Sequence, residues 1–364
     1  MKLQSAANNR IAPRATSVCR LTPRCAASFA LLLAIWAICA IWTICMPGGS
    51  LAHAASSSAP PCPPGIVSLY TPASANSQTT TLYALLPEVW QARFQQTLVL
   101  TPAPGRGGSY AVVRLLDDAI GCSLAAVILP SLYLLTETAD RMYNLADLEV
   151  AAVLAAAPNA LWVAEESPFQ SLADLVIHAR AENAKPGGFF ILAGTGSYTD
   201  QHLASLVFDR AAGVRSLYLP VLGSAEAIQA VKNGRASACW GYALAPETMP
   251  GMRALGVAAE QRSLALPGVP TFREVHVDMT SMAWFALALR SEIPEEFMPL
   301  QGQGLLDALA ALMADDDLRA RVAARGFTPF ALGPQELGTF LEERQQAAAL
   351  GLATYDLIPR HLRR

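Results

Sequence analysis

Charge is scarce in this 364-residue chain, with 26 Lys+Arg against 29 Asp+Glu, and no block of like charge runs through it. Nucleic-acid binding leaves a basic stripe, and none is visible, so no nucleic-acid partner is expected. Cysteine is sparse where it would matter. Of the seven cysteines, Cys19, Cys25, Cys39 and Cys45 sit in the N-terminal segment. Cys62, Cys122 and Cys239 are too far apart for a metal site or a disulfide framework. They read as three small buried or solvated side chains, although one pair can close in an oxidising compartment. Neither a metal nor a cofactor is expected. Aromatic residues are 7% of the chain, and no internal repeat is present. The 53% apolar content excludes a disordered or collagen-like chain. The length fits roughly two domains of about 150 residues.

No acidic residue occurs up to Ala54, whereas Lys2, Arg10, Arg14, Arg20 and Arg24 are all basic. An apolar stretch from Ala26 to Cys45 follows, then Pro47-Gly48-Gly49 and Leu51-Ala52-His53-Ala54. This order of charge, apolar run, helix breaker and small-residue cleavage site is that of a secretory signal peptide, residues 1–54. The protein is therefore expected in the periplasm. The alternative is an uncleaved anchor in the inner membrane, because the apolar run is long for a signal peptide. With the cut after Ala54, 21 basic residues face 29 acidic ones, a net charge of −8. Such a surface does not steer an anion by its overall field, so any anion site must be built locally.

After a Pro/Ser linker at 55–64, apolar runs alternate with helical patterns. The runs are Ile66–Tyr70, Thr97–Thr101, Leu124–Leu129, Ala160–Ala164, Phe189–Ala193, Ser216–Pro220, Ala236–Trp240, Ala254–Ala258 and Ala283–Leu289. Most are continuous rather than alternating, as in strands buried on both faces. Leu82, Leu85, Leu86, Val89, Trp90 and Phe94 mark one helical face, with Pro87 inside it as a kink or a delayed start. Ser171 with Asp174 resembles a capping box, Thr199 or Asp200 caps the next helix, and Ser224 another. Three helices, at about 302–313, 315–325 and 334–349, close the chain. The alternation predicts an α/β fold with mostly parallel sheets.

Ligands of open α/β sheets bind where loops leave the carboxyl ends of strands. Four such loops carry candidate residues. The first, Thr71–Thr79, is uncharged and rich in small polar groups, and offers Ala75, Asn76, Ser77 and Thr79. The second, Pro104–Tyr110, is glycine-rich and carries Arg106, either a bidentate carboxylate partner or a solvated turn residue. The third runs from Ala193 to Leu203 and offers Thr195, Gly196, Ser197, Tyr198 and Thr199 at a helix N-terminus, which suits an anion. It lacks the Gly-Lys-Ser/Thr ending of a nucleotide-binding loop and is no Gly-x-Ser-x-Gly elbow. His202, one turn into the helix, reads as a structural hydrogen-bonder. The fourth, Trp240-Gly241-Tyr242, offers Trp240 and Tyr242, which wall a cleft or fill a core.

The third loop resembles the A-G-x-G-S-x-x-H-L segment of Bug-type solute receptors, the extracytoplasmic binding proteins of tripartite tricarboxylate transporters. The likeness extends over most of 66–359. Pro104–Gly108 is similar to the family's P-G-A-G-G, Pro130–Tyr133 to N-P-S-L-Y, and Pro158-Asn159 to P-N. Arg253–Val257 is similar to R-A-L-A-V, Arg262-Ser263 with Leu266–Thr271 to R-S-x-x-L-P-D-V-P-T, and Trp284-Phe285 to W-F-G. The resemblance implies a two-lobed periplasmic binding protein fold with a hinge. Lobe 1 would comprise 65–163 and 278–364, and lobe 2 would comprise 164–277, with crossovers near Val163 and between His276 and Met282. It implies a small carboxylated ligand between the lobes, a monomer, and a membrane permease of that transporter class or a sensor as partner.

The departures point to a changed ligand. Ala75-Asn76 stand where the family has glycines, and Thr79 where it has the Asp that meets the ligand's polar end. A loop before Pro130 is missing, Val221–Ser224 replaces Y-K-G-G, and Trp240-Gly241-Tyr242 replaces F-D-N. The expected ligand is less polar at its distal end. One alternative is a receptor-like protein that has lost small-molecule binding and works through partners. A remote one is a secreted serine hydrolase using Ser197 and His202, for which no orienting acid is identified.

Overall fold

The computed structural model describes residues 65–118, 122–138, 141–292 and 305–355. The expected signal peptide at 1–54 and linker at 55–64 lie outside the described residues. In chain order the elements are β1 (Ile66–Thr71), α1 (Gln78–Tyr83), α2 (Leu86–Phe94), β2 (Thr97–Pro102), α3 (Ser109–Asp117), β3 (Ser123–Leu129) and α4 (Ser131–Thr136). There follow β4 (Leu148–Ala164), α5 (Leu172–Ala184), β5 (Phe190–Thr195), α6 (Asp200–Ala212), β6 (Ser216–Val221), α7 (Ser224–Lys232), β7 (Ala238–Tyr242) and β8 (Met252–Val257). The chain closes with β9 (Met282–Arg290), α8 (Leu305–Met313), α9 (Asp316–Ala324), β10 (Thr328–Pro329) and α10 (Pro334–Tyr355).

Local chemistry explains the boundaries. Pro87 divides the predicted helical face in two. It falls in the first turn of α2, where its missing N–H costs nothing. Ser171 and Asp174 form the expected capping box: Asp174 N donates to Ser171 Oγ (3.2 Å) and Ser171 N to Asp174 Oδ2 (2.9 Å). Thr199 caps α6. Ser224 does not cap α7, where Gly223 holds the cap position.

The strands run in the order β2-β1-β3-β9-β4-β7-β5-β6, with β8 and β10 also on β4. β1 pairs parallel with β2 and β3, and β5 parallel with β6 and β7. The middle is antiparallel, which departs from the mostly parallel sheets expected. The reason is connectivity. β4 carries the chain from one half of the sheet to the other and β9 brings it back, so the two must run in opposite senses. β4 pairs with β9 up to Pro158 and with β7 from Asn159. The crossover thus lies at Pro158-Asn159, whereas the sequence suggested Val163. Pro158 has no N–H to continue a ladder, which suits the point where the strand changes partners. The return crossing lies alongside. Asn159 N donates to Ser281 O (2.9 Å) and Ser281 N to Ala258 O (2.8 Å).

Each half is packed on both faces. Trp90, Leu82 and Phe285 centre one cluster of the first half, and Val112, Leu132 and Ala286 the other. α8 and α9 add Leu309, Leu312 and Leu318 to the first half, and α10 adds Leu337. The second half is built on Phe208, Trp240 and Phe272 on one side and Trp162, Ile228 and Met249 on the other. Cys239 is buried and free, whereas Cys122 is disulfide-bonded, so of the two readings left open the one with a closed pair holds.

Candidate functional site

The loops at the carboxyl ends of β1, β2, β3, β5, β6 and β7 converge on a cavity of about 660 Å³ between the two halves of the sheet. Its wall is mostly hydroxyl, amide and aliphatic. Of the residues that the sequence offered, Ser77, Thr79, Arg106, Thr195, Gly196, Ser197, Tyr198, Thr199 and Tyr242 line it. Ala75 and Asn76 do not. They are exposed on the outer side of the first loop, where Ser77 turns inward to cap α1 by accepting from Thr80 N (3.1 Å). Trp240 does not line the cavity either. It is fully buried, stacked on Phe272 (6.0 Å between centroids) and edge-on to Phe208 (6.1 Å). Tyr242, two residues further along β7, reaches the strand's end and faces the cavity, its ring edge-on to Phe285 at 5.1 Å.

The second and third loops meet backbone to backbone. A Cβ on Gly196 would stand 2.8 Å from Gly107 Cα, and one on Gly107 would stand 3.2 Å from Ser197 O. Both residues have positive φ, +71° and +64°. Glycine is required here for approach and for conformation together.

The third loop satisfies many of its own donors. Thr195 N donates to Gln201 Oε1 (2.8 Å), Gly196 N to Val221 O (2.9 Å) and Tyr198 N to His202 Nδ1 (3.1 Å). Thr199 Oγ1 donates to Thr195 O (2.7 Å). The Thr195 and Ser197 hydroxyls have no partner among the described residues, and the α6 N-terminus lies behind them. His202 is the structural hydrogen-bonder that the sequence suggested. Its ring stacks on Tyr218 at 4.4 Å, and burial pushes its pKa down to about 4. An imidazole so placed is a poor general base for Ser197.

Several wall residues escaped the sequence reading. Gln78 Nε2 donates to Tyr242 O (3.2 Å) and Thr248 Oγ1 (2.9 Å), and its Oε1 accepts from Tyr242 N (2.9 Å). Gln78 N donates to Ser224 Oγ (3.2 Å), which is what Ser224 does in place of capping. Ser131, at the start of α4, donates from Oγ to Asp200 Oδ1 and accepts from Asp200 N, both at 3.0 Å. Asn159 Nδ2 bridges Asp200 Oδ2 (3.3 Å) and Ser281 Oγ (3.0 Å), joining the cavity wall to both crossovers. Burial raises the Asp200 pKa to about 6 against the pull of its Ser131 and Asn159 hydrogen bonds. Arg141 joins Arg106 as an exposed cation of the lining. Ser131, Leu222 and Ser224 follow strand ends, so the rule that selected the four loops reaches them too. Among the described residues, no cluster of His, Cys, Asp and Glu fits a metal ion, and no helix is long and apolar enough to cross a membrane.

The family described as tripartite tricarboxylate transporter family receptor matches residues 88–350. The UPF0065 protein in the gbd 5′ region of Cupriavidus necator is 27% identical over 251 residues, covering 68% of this chain and 74% of that one. Among solved structures, the periplasmic binding protein BugD aligns at a TM-score of 0.70 with 17% identity, covering 81% of this chain and 99% of that one. An R. palustris protein with adipate aligns at 0.70 with 21% identity, covering 81% and 98%. MatC from Rhodopseudomonas palustris with bound malate aligns at 0.65 with 19% identity, covering 80% and 99%. These structures share the fold.

Proposed function

The chain belongs to the tripartite tricarboxylate transporter family receptors, and from that premise we propose that it is a periplasmic receptor for a small carboxylated metabolite. Members of this family bind substrate and are not enzymes. The observation that carries the reading is the cavity between the two halves, walled by hydroxyls, amides and the α6 N-terminus. Thr195 and Ser197 would hold the carboxylate, with Ser77 and Thr79 opposite and Arg106 at the rim. The aliphatic part of the wall, with Pro72, Ile128, Leu135 and Val221, suits a chain less polar than a tricarboxylate. Adipate, in one structural relative, has that character. Residues 1–54 would export the protein, and the lobes, 65–158 with 282–355 and 159–281, would close on the ligand as a monomer. The closed form would then dock on a membrane permease of this transporter class or on a sensor.

Refolding the purified exported protein to strip bound ligand, then running thermal shifts against mono-, di- and tricarboxylates, tests this. A ligand at about 100 times its Kd adds about 2.7 kcal/mol. A panel with no stabilising member would sink the reading. The second reading, a receptor that no longer binds, expects aromatic side chains filling the cleft. Trp240 is in the core and the cavity is open, which argues for binding.

A further inference from the structure

We propose that this cavity takes its carboxylate ligand together with one proton, held on Asp200. The inference rests on the receptor reading and adds a condition set by the chain's own wall. Asp200 is the first residue of α6 and is 2% exposed in the cavity lining. It follows directly on Thr195–Thr199, where the ligand carboxylate would sit.

The neighbours of Asp200 are neutral. Ser131 on α4 and Asn159 on β4 donate to its two oxygens, and Tyr242 on β7 and Tyr218 on β6 face it with uncharged phenols. On its own helix, His202 is half-buried and, with its pKa pushed down to about 4, neutral. Arg106 and Arg141 line the same cavity but are exposed, and Asp200 makes no ion pair among the described residues. Both arginines stand at the exposed rim, so among the described residues no cation is buried beside Asp200 to offset a second anion there. Two carboxylates sharing such a site do not both stay ionised, and one takes a proton. Asp200 is the better host. Burial has already raised it to about 6, while a small ligand acid in water titrates far below that. The network also has a structural consequence. Asn159 links Asp200 to Ser281 at the second crossover, so the protonation state is felt where the two halves join.

Titration calorimetry of the exported protein with adipate, malate, succinate and glutamate, each in Pipes and in Tris, counts the protons exchanged. Repeating it between about pH 6.5 and about pH 8.5 gives the slope of affinity. Whichever acid binds is expected to bring in close to one proton, with affinity falling by up to about tenfold per pH unit. Asp200→Asn, a neutral substitute of the same shape, is expected to bind with one affinity across that range and to exchange no proton. Binding by the wild type without proton uptake overturns the proposal, and so does a pH slope left unchanged in the variant. The wild-type proton count stands even if the variant does not fold. If no acid binds at any pH, it is the receptor reading that fails, and the proton proposal falls with it.

Discussion

Gln78 reaches from the first half of the molecule into the second, and nearly every polar atom it has is used there. Its amide group meets Tyr242 N, Tyr242 O and Thr248 Oγ1, and its main-chain N meets Ser224 Oγ. Gln78 and Tyr242 are both buried. Truncation to Ala leaves the Tyr242 amide without its acceptor, a loss of about 1–3 kcal/mol. Gln78→Ala is accordingly expected to lower the unfolding midpoint by about 2–4 °C per kcal/mol lost, read by calorimetry at fixed pH. An unchanged midpoint would mean that this clasp is absent in solution. Gly196→Ala makes a different demand. The new Cβ meets Gly107 Cα at 2.8 Å, backbone against backbone, so no side chain can turn aside to relieve it. We expect the second and third loops to separate and ligand affinity to drop by more than about tenfold, while the strained φ itself costs about 1–2 kcal/mol of stability. Isothermal titration beside a denaturation curve separates the two effects.

At the scale of elements, α5 offers a clean test because its start is made by two side chains alone. Ser171→Ala removes the acceptor for Asp174 N and is expected to cost about 1 kcal/mol. Its urea midpoint should move without a change in m, and a changed m would show that the substitution does more than uncap a helix. Elements of this kind were legible in the sequence because their cause is local: a cap, a proline, or an apolar run long enough for a buried strand. The front part of β4 was not. Leu148–Ala157 is half alanine with a proline next to it, and it is a strand because β9 lies beside it. The site divides in the same way. Loops at strand ends were readable, but the approach of Gly107 and Gly196 was not, because the two glycines are far apart in the sequence. Trp240 and Tyr242 were not separable, since they lie on one strand two residues apart and only the distance to the strand's end sends one to the core and the other to the cavity. Ser131 and Ser224 look like helix starts. Their partners, Asp200 and Gln78, are 69 and 146 residues away.

For the molecule as a whole, one buried and two half-buried titratable groups set the pH dependence of stability, and they do not all push the same way. Asp200 and Asp209 rise to about 6 from an ordinary 3.8, both chiefly by burial; hydrogen bonds from Ser216 hold Asp209 back in part. A raised carboxyl favours the folded state in full below its unfolded value, and that contribution is lost as pH climbs through about 6. His202 is the reverse. Burial lowers it from 6.5 to about 4, so its contribution is in full above 6.5 and is lost as pH falls through about 4. Between these limits two groups gain and one loses, and near pH 5 the folded state holds more of their protons than the unfolded chain does. The unfolding midpoint of the ligand-free protein is therefore expected to rise as pH drops from about 7.5 to about 5. Asp209→Asn should turn the rise into a shallow fall, because one gain no longer outweighs the His202 loss, and His202→Gln should steepen it by removing that loss. Calorimetry across that range on the wild type and both variants checks the signs independently. A wild-type midpoint that falls over the same interval would place at least one of Asp200 and Asp209 in water, and the Asp209→Asn curve tells which: no further change on that substitution leaves Asp200, and the buried wall on which proton-linked binding depends, intact.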